Sequence, residues 1–319
     1  MKVSLVTTVL NARERIEGFL ASLAAQTRPP EEAIVVDGGS TDGTLEVLRR
    51  AKGIRLIEAP GASIARGRNL AIAAATHEVI AVTDADCELE PDWLERLLEP
   101  IQAGADIAMG AYRPVTETFL HRCLAAINLP DPAEWDEATF MPSSRSVAFR
   151  RSAIEAVGGY PEWLEIGEDM YVDHRWRELG LDMRLAREAV VRWHLRPDLR
   201  STFVQYFRYA RGDAIAGMHP ERHALRFGVY GGALYAWGSR GGLRKLATLA
   251  GAAAYAREPV RRALRAFPDP AERALALVAI PALMGFLDAA KMAGYLAGLA
   301  ARSRRSPVGR VGPDGQAEA

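Results

Sequence analysis

At 319 residues the chain holds one large domain or two of ordinary size, and 49% apolar with 25% charged residues excludes disorder as its default state. Two cysteines, Cys87 and Cys123, exclude a disulfide framework, and the opening residues carry no signal-peptide cleavage pattern, so a reducing cytoplasmic setting is expected. The formal charge is zero but unevenly spread: residues 1–195 hold 21 Lys and Arg against 31 Asp and Glu, and residues 196–319 hold 19 against 9. Because the basic part is also apolar and helix-like, it points to an anionic lipid surface rather than to nucleic acid.

Residues 3–10 form a β-branched run that ends at Asn11, a turn former, before a helical pattern with Ile16, Leu20 and Leu23 on one face. Pro29 and Pro30 close that unit, and residues 33–36 give a second strand. Asp37, Gly38 and Gly39 then place an acid and tight backbone at the strand end, before a helix over 45–51. A short strand at 54–57 leads to a helix from about 64 to 75, with Arg66, Arg68 and Asn69 near its start. Strands alternating with helices across short links predict a parallel, doubly wound α/β sheet, which gathers polar clusters from successive strand ends at one edge.

The run 79–83 reads as the central buried strand, and Asp84 and Asp86 emerge at its carboxyl end. Two carboxylates one residue apart leave an extended backbone on the same side, where they suit Mg2+ or Mn2+ bridging to a diphosphate. The plainer reading is a solvated turn and an acidic cap, since Glu88, Glu90 and Asp92 precede a helix at Trp93.

These segments together resemble the nucleotide-binding half of the GT-A glycosyltransferases, specifically family 2. The likeness is carried by the opening strand with Asn11, by SLAAQTRPPEEAIVVDGGSTDGT from Ser22, by GRNLAIAAA from Gly67 and by the Asp84-Ala85-Asp86 triplet. It implies a nucleotide-sugar site built from Thr8, Leu10, Asn11, Asp37, Gly39, Arg68, Asp84 and Asp86. Asp37 is then expected to bond the base, Asp84 the ribose, Arg68 to lie near the diphosphate and Asp86 to bind metal. Leu10 stands where the family usually has an aromatic residue, and Thr8 and Val9 where Pro is common.

Further on, residues 107–112 predict a strand, and Pro130, Pro132 and Pro142 break any long helix. Residues 143–151 read as a strand returning to the sheet and 158–161 as a turn over the site. A helix follows over 167–180, opened by Glu168 and Asp169. The pair serves equally as dipole-favoured acids in a first turn; the resemblance makes Asp169 the general base of an inverting sugar transfer, with Glu168 orienting it and Asp173 in reserve. His194 follows a strand at 189–191 and is a candidate second metal ligand beside Asp86, with a structural role as its rival. Gln205 and Arg208 resemble a segment of processive family members, with Tyr209 in place of Trp, and are candidates for acceptor or diphosphate.

Beyond Pro220 come apolar segments at 227–237, 246–256 and 274–287, separated by Gly, Pro and Arg. Pro281, Asp288 and Lys291 interrupt the longest, so interfacial helices are expected rather than spanning ones. The expected layout is a catalytic domain over 1–200, a basic helical membrane-associating appendage over 201–300 and a disordered tail over 301–319.

The resulting expectation is a metal-dependent hexosyltransferase on the cytoplasmic membrane face. It takes a nucleoside diphosphate sugar and a glycan or lipid-linked acceptor, and no nucleic acid. The rivals are a sugar-nucleotide pyrophosphorylase, which wants an Arg-containing Gly-rich loop after the first strand, and a non-catalytic nucleotide-sugar or glycan-binding scaffold.

Overall fold

Eight strands form one sheet in the order β3-β2-β1-β4-β7-β6-β8-β5 in the computed structural model of the chain, which describes residues 1–130, 134–238 and 241–304. The strands are β1 (Val3–Val9), β2 (Glu32–Asp37), β3 (Arg55–Glu58), β4 (Val79–Val82), β5 (Cys87–Leu89), β6 (Ile107–Val115), β7 (Val147–Arg150) and β8 (Met183–His194). Parallel pairing joins β3, β2, β1 and β4, and also β6 and β8, while β7 runs antiparallel to both its neighbours and β5 antiparallel to β8. The sheet is mixed and mainly parallel, with helices on both faces.

The helices are α1 (Ile16–Ala24), α2 (Thr44–Arg50), α3 (Ile64–Ala74), α4 (Trp93–Gln102), α5 (Phe119–Asn128), α6 (Arg151–Ala156), α7 (Glu168–Glu178), α8 (Leu199–Ala216), α9 (Pro220–Gly238), α10 (Gly242–Ala266) and α11 (Pro270–Arg304). One core lies where Leu5, Val9 and Val35 meet Phe19 of α1 and Trp93, Leu94 and Leu97 of α4. The other gathers Val6, Val36, Ile80 and Phe149 against Ala71 of α3 and Trp176 of α7. Burying a strand on both sides calls for a mainly apolar run, and this is how β4 and residues 33–36 of β2 read, with β1 alike apart from Ser4, Thr7 and Thr8.

Register aligns Val9 with Asp37 and Val6 with Val82, so the carboxyl ends of β1, β2 and β4 stop at nearly one level. Because β7 is antiparallel and pairs Val147 with Val82, the segment entering it, Ser143 to Ser146, reaches the same rim. At that rim Gly67 has a specific task. A Cβ there would lie 2.7 Å from Thr8 Cγ2, so a glycine is what lets α3 rest on β1. Gln26, buried at the end of α1, donates to Glu90 O at 2.8 Å and accepts from Leu94 N at 3.0 Å, pinning the β5–α4 link.

Several expectations change here. The strand expected over 143–151 is only Val147–Arg150, because 143–146 turns and Arg151 opens α6. Glu88, which the plainer reading put with Glu90 and Asp92 in an acidic cap, lies in a strand: residues 87–89 pair with Val191 to Trp193. The strand expected at 189–191 is twelve residues long and crosses a register shift opposite Gly110 and Ala111. The proline-containing stretch still includes α5, capped by the Thr118 side chain. Pro132 and residues 305–319 of the expected tail lie outside the described residues, and 301–304 continue α11.

The chain divides into two compact units: Met1–Arg196 with Pro259–Ala276, and Pro197–Glu258 with Leu277–Ala319. The short return segment 259–276 is tied to the first unit by Arg122, which is bidentate to Glu272 at 2.6 and 2.9 Å and stacks over Phe267. In the second unit, Gly294 and Gly298 let α11 lie directly on α8, since added Cβ atoms would meet Phe207 O and Arg211 O at 2.1 and 2.5 Å. Buried Asp288 of α11 accepts from Arg226 Nε at 2.8 Å, Tyr230 at 3.0 Å and Tyr255 at 2.9 Å. Pro281, Asp288 and Lys291 do not interrupt α11; the helix runs through all three and is long and apolar enough to cross a membrane by length and composition.

Candidate active site

The first corner is built by β1 and β2. Asp37 is buried at the end of β2, and its Oδ1 accepts from Gly39 N at 2.9 Å and Ser40 N at 2.8 Å. Its Oδ2 is buried with no partner among the described residues. An acceptor so placed is costly unless something donates to it. Asn11 adopts φ 53°, which Asn tolerates better than most residues, and its side chain accepts from Thr41 N at 2.9 Å while its own N–H donates to Ser40 Oγ at 2.9 Å. These bonds lock the two strand-end loops together. Thr8 is half-buried beside α3, and Leu10 stands exposed at the rim.

The second corner is organised by a cation. Arg68 on α3 is buried, donates from Nη1 to Glu168 Oε1 at 2.5 Å and from Nη2 to Asp84 Oδ1 at 2.8 Å, and lies over the Tyr160 ring at 5.2 Å. Burial works against its charge, but Asp84 and Glu168 more than offset this and raise its pKa. Arg68 is therefore a strut between the end of β4 and the start of α7. Asn69 secures the turn after α6: its Oδ1 accepts from Tyr160 N and its Nδ2 donates to Tyr160 O, both at 2.8 Å.

Asp86 is differently served. Among the described residues its hydrogen-bond donor is the Cys87 thiol, with Sγ 3.8 Å from Oδ1. Desolvation, joined by the charge of Asp84, pushes its pKa up, and Arg145 and Arg196 pull the other way. A carboxylate this poorly compensated beside a second one fits a hard divalent cation, which keeps waters and takes one or two carboxylates plus phosphate oxygens. His194 is held elsewhere, with Nε2 3.3 Å from Glu88 Oε1. No group of three His, Cys, Asp or Glu among the described residues is arranged to hold a metal.

Asp169 sits in the first turn of α7, after Gly167 in the left-handed region. Its Oδ1 accepts from Met170 N at 2.8 Å, and its Oδ2 is 3.4 Å from Ser144 N and 3.5 Å from Ser143 Oγ. Burial raises its neighbour Glu168 to about 7, against the pull of Arg68 and with the push of Asp169. Asp173, one turn on, is buried with Oδ2 unpartnered among the described residues, and desolvation holds its pKa well above the usual range.

Sequence reasoning passed over Arg145. Its guanidinium stacks on Trp193 at 4.2 Å, donates to Ser143 Oγ at 2.8 Å and approaches Asp84 Oδ2 to 3.9 Å, so it spans the gap between the acid pair and Asp169. The stacking partner is brought there by β8, which sets Trp193 opposite Cys87 of β5 and Pro114 of β6. Of the residues singled out from sequence, the structure brings Arg68, Asp84, Asp86, Glu168 and Asp169 into one connected group, with Asp37 and Asn11 on the adjoining strand ends. Gln205 and Arg208 lie on α8 in the second unit, where Gln205 Nε2 donates to Tyr209 Oη at 2.9 Å.

A mainly parallel sheet of this order, with its polar residues along one rim, is the GT-A fold of glycosyltransferases. Two solved structures share it: a mannosyltransferase from Pyrobaculum calidifontis in complex with GDP-Man and Mn2+, at TM-score 0.54 and 21% identity over 94% of this chain and 86% of that one, and S. aureus TarS in complex with UDP, at TM-score 0.51 and 17% identity over 96% and 93%. Residues 4–158, just under half of the chain, match the model of glycosyl transferase family 2. Glycosyltransferase AglE of Haloferax volcanii is 30% identical over 207 residues, which is 59% of this chain and 65% of AglE. The chain thus spans just under two thirds of that relative's length. Succinoglycan biosynthesis protein ExoA of Rhizobium meliloti is 29% identical over 230 residues, 66% of this chain and 68% of ExoA.

Proposed function

We propose that the first unit moves a sugar from a nucleoside diphosphate sugar to a hydroxyl of a glycan or lipid-linked acceptor, with inversion at the anomeric carbon. The observation that carries this reading is the Arg68 strut, which joins the acid at the end of β4 to the turn of α7 bearing Asp169. Donor and acceptor chemistry then share one rigid frame.

In this reading the free Oδ2 of Asp37 takes an N–H of the base and Asp84 faces the ribose. Asp86 holds Mg2+ or Mn2+, which when bound offsets the charge of the diphosphate. To join Asp86, His194 must give up its contact with Glu88. Arg145, fixed on Trp193, adds a positive charge where the leaving group departs. Asp169 takes the acceptor proton as the hydroxyl attacks, while Ser143 and Ser144 steer its Oδ2. Gln205 and Arg208 contribute to acceptor or diphosphate binding, and the basic second unit docks on the cytoplasmic face of a membrane.

A panel of nucleoside diphosphate sugars with Mn2+ tests the proposal through release of nucleoside diphosphate. At least one donor is expected to be turned over and EDTA to stop it; binding across the panel without any hydrolysis or transfer would leave only a scaffold.

A further inference from the structure

The hairpin of α9 and α10 is apolar and yet hardly packed. Within the nineteen residues of α9 only His223 and Ala236 are buried, and α10 buries nothing before Pro259. Around the turn, Leu243 is 82% exposed, Leu234 77%, Tyr235 68%, Leu246 64% and Trp237 58%. Soluble proteins rarely leave such side chains together in water. The hairpin is nevertheless anchored at its base, where Arg226, Tyr230 and Tyr255 converge on Asp288.

Charge indicates what covers the tip. Between Glu221 and Glu258 the sequence has no Asp or Glu and six Arg or Lys. Arg244 lies 5.4 Å from the Tyr235 ring centroid and Lys245 5.9 Å from that of Trp237, so cations and aromatic rings are interleaved at the tip itself. A second copy of the chain would set these cations against one another. A nucleic acid would leave the leucines without an apolar partner, since such interfaces are polar. Aromatic rings with flanking Lys and Arg are what the boundary between headgroups and acyl chains accepts. Among the described residues α11 alone is long and apolar enough to cross a membrane, so the α9–α10 hairpin is suited to shallow insertion.

We infer that the α9–α10 tip is an anionic-bilayer docking surface, with Leu234, Trp237, Leu243 and Leu246 entering the acyl boundary and Arg244 and Lys245 on the headgroups. This deepens the membrane part of the proposed function and rests on it.

The test is co-sedimentation of the full chain with vesicles of phosphatidylcholine alone or mixed equally with phosphatidylglycerol. The chain is expected to pellet with the mixed vesicles and to be released by high salt. The surface variant Arg244→Glu/Lys245→Glu is expected to weaken this by at least about tenfold, because each basic residue near an anionic surface contributes roughly fivefold. Trp237→Ser/Leu243→Ser is expected to reduce binding to both vesicle types, with unchanged helix content by circular dichroism. Equal binding by wild type and the Glu variant would overturn the inference, as would no binding to mixed vesicles. So would concentration-dependent dimers that only the Ser variant abolishes, for then a second copy covers the tip. Nucleoside diphosphate binding measured on the same samples separates this failure from failure of the transferase reading.

Discussion

Asp169→Asn is expected to lower the rate of sugar transfer by about 10²–10⁴-fold while leaving donor affinity and stability near those of the wild type. The amide keeps the oxygen that accepts from Met170 N at 2.8 Å, so the first turn of α7 stays capped. What is lost is the atom that takes the acceptor proton. Glu168 cannot substitute, since it is buried and bound to Arg68 at 2.5 Å. Asp173→Asn is the internal control. Its carboxyl is buried and desolvation pushes its pKa well up, so an amide of the same shape is expected to leave transfer close to wild type. Steady-state kinetics on both variants checks the assignment, and the reverse pattern would move the base to Asp173.

Arg68→Ala is expected to cost about 3–5 kcal/mol of stability, the usual price of stranding a buried charge partner. The guanidinium is nearly inaccessible and answers two carboxylates, one from β4 and one from α7. Removing it leaves Glu168 buried beside Asp169 with no counter-charge and frees α7 to shift relative to the acid pair. Donor binding and turnover fall with it. Adding Glu168→Gln is expected to recover part of the stability, since one of the stranded charges is then gone. Urea denaturation of the single and double variants measures this; an Arg68→Ala protein as stable as wild type would show that the strut holds nothing.

The first half of the fold was readable because burial and sequence agree there. Strands covered on both faces must be largely apolar, as β2 is over 33–36, β4 throughout and β1 apart from Ser4, Thr7 and Thr8; Asp37 ends β2, and Asp84 and Asp86 lie just beyond β4. The second half was less readable for the opposite reason. In β8, Arg184, Arg187, Glu188 and Arg192 break any simple alternation, and the shift opposite Gly110 and Ala111 resets its register. The three residues of β5 become a strand only because β8 lies beside them.

The site divides along the same line. Residues placed by their own strand or helix end were visible as candidates, while roles that depend on distant partners were not. The bridging role of Arg68 was not legible because nothing nearby in sequence announces Glu168, a hundred positions on. Arg145 looked like part of a strand, and its place over Trp193 depends on the far edge of the sheet.

In the proposed function the strand-end acids and Asp37 form one metal-assisted nucleoside diphosphate site. Calorimetric titration of GDP and UDP into the full chain, with Mn2+ and with EDTA, tests it most directly when repeated on Asp86→Asn and Asp37→Ala. At least one nucleotide is expected to bind, EDTA and Asp86→Asn each to weaken it tenfold or more, about 1.4 kcal/mol, and Asp37→Ala to weaken it with metal still required. Binding that is indifferent to metal and to both substitutions would contradict it.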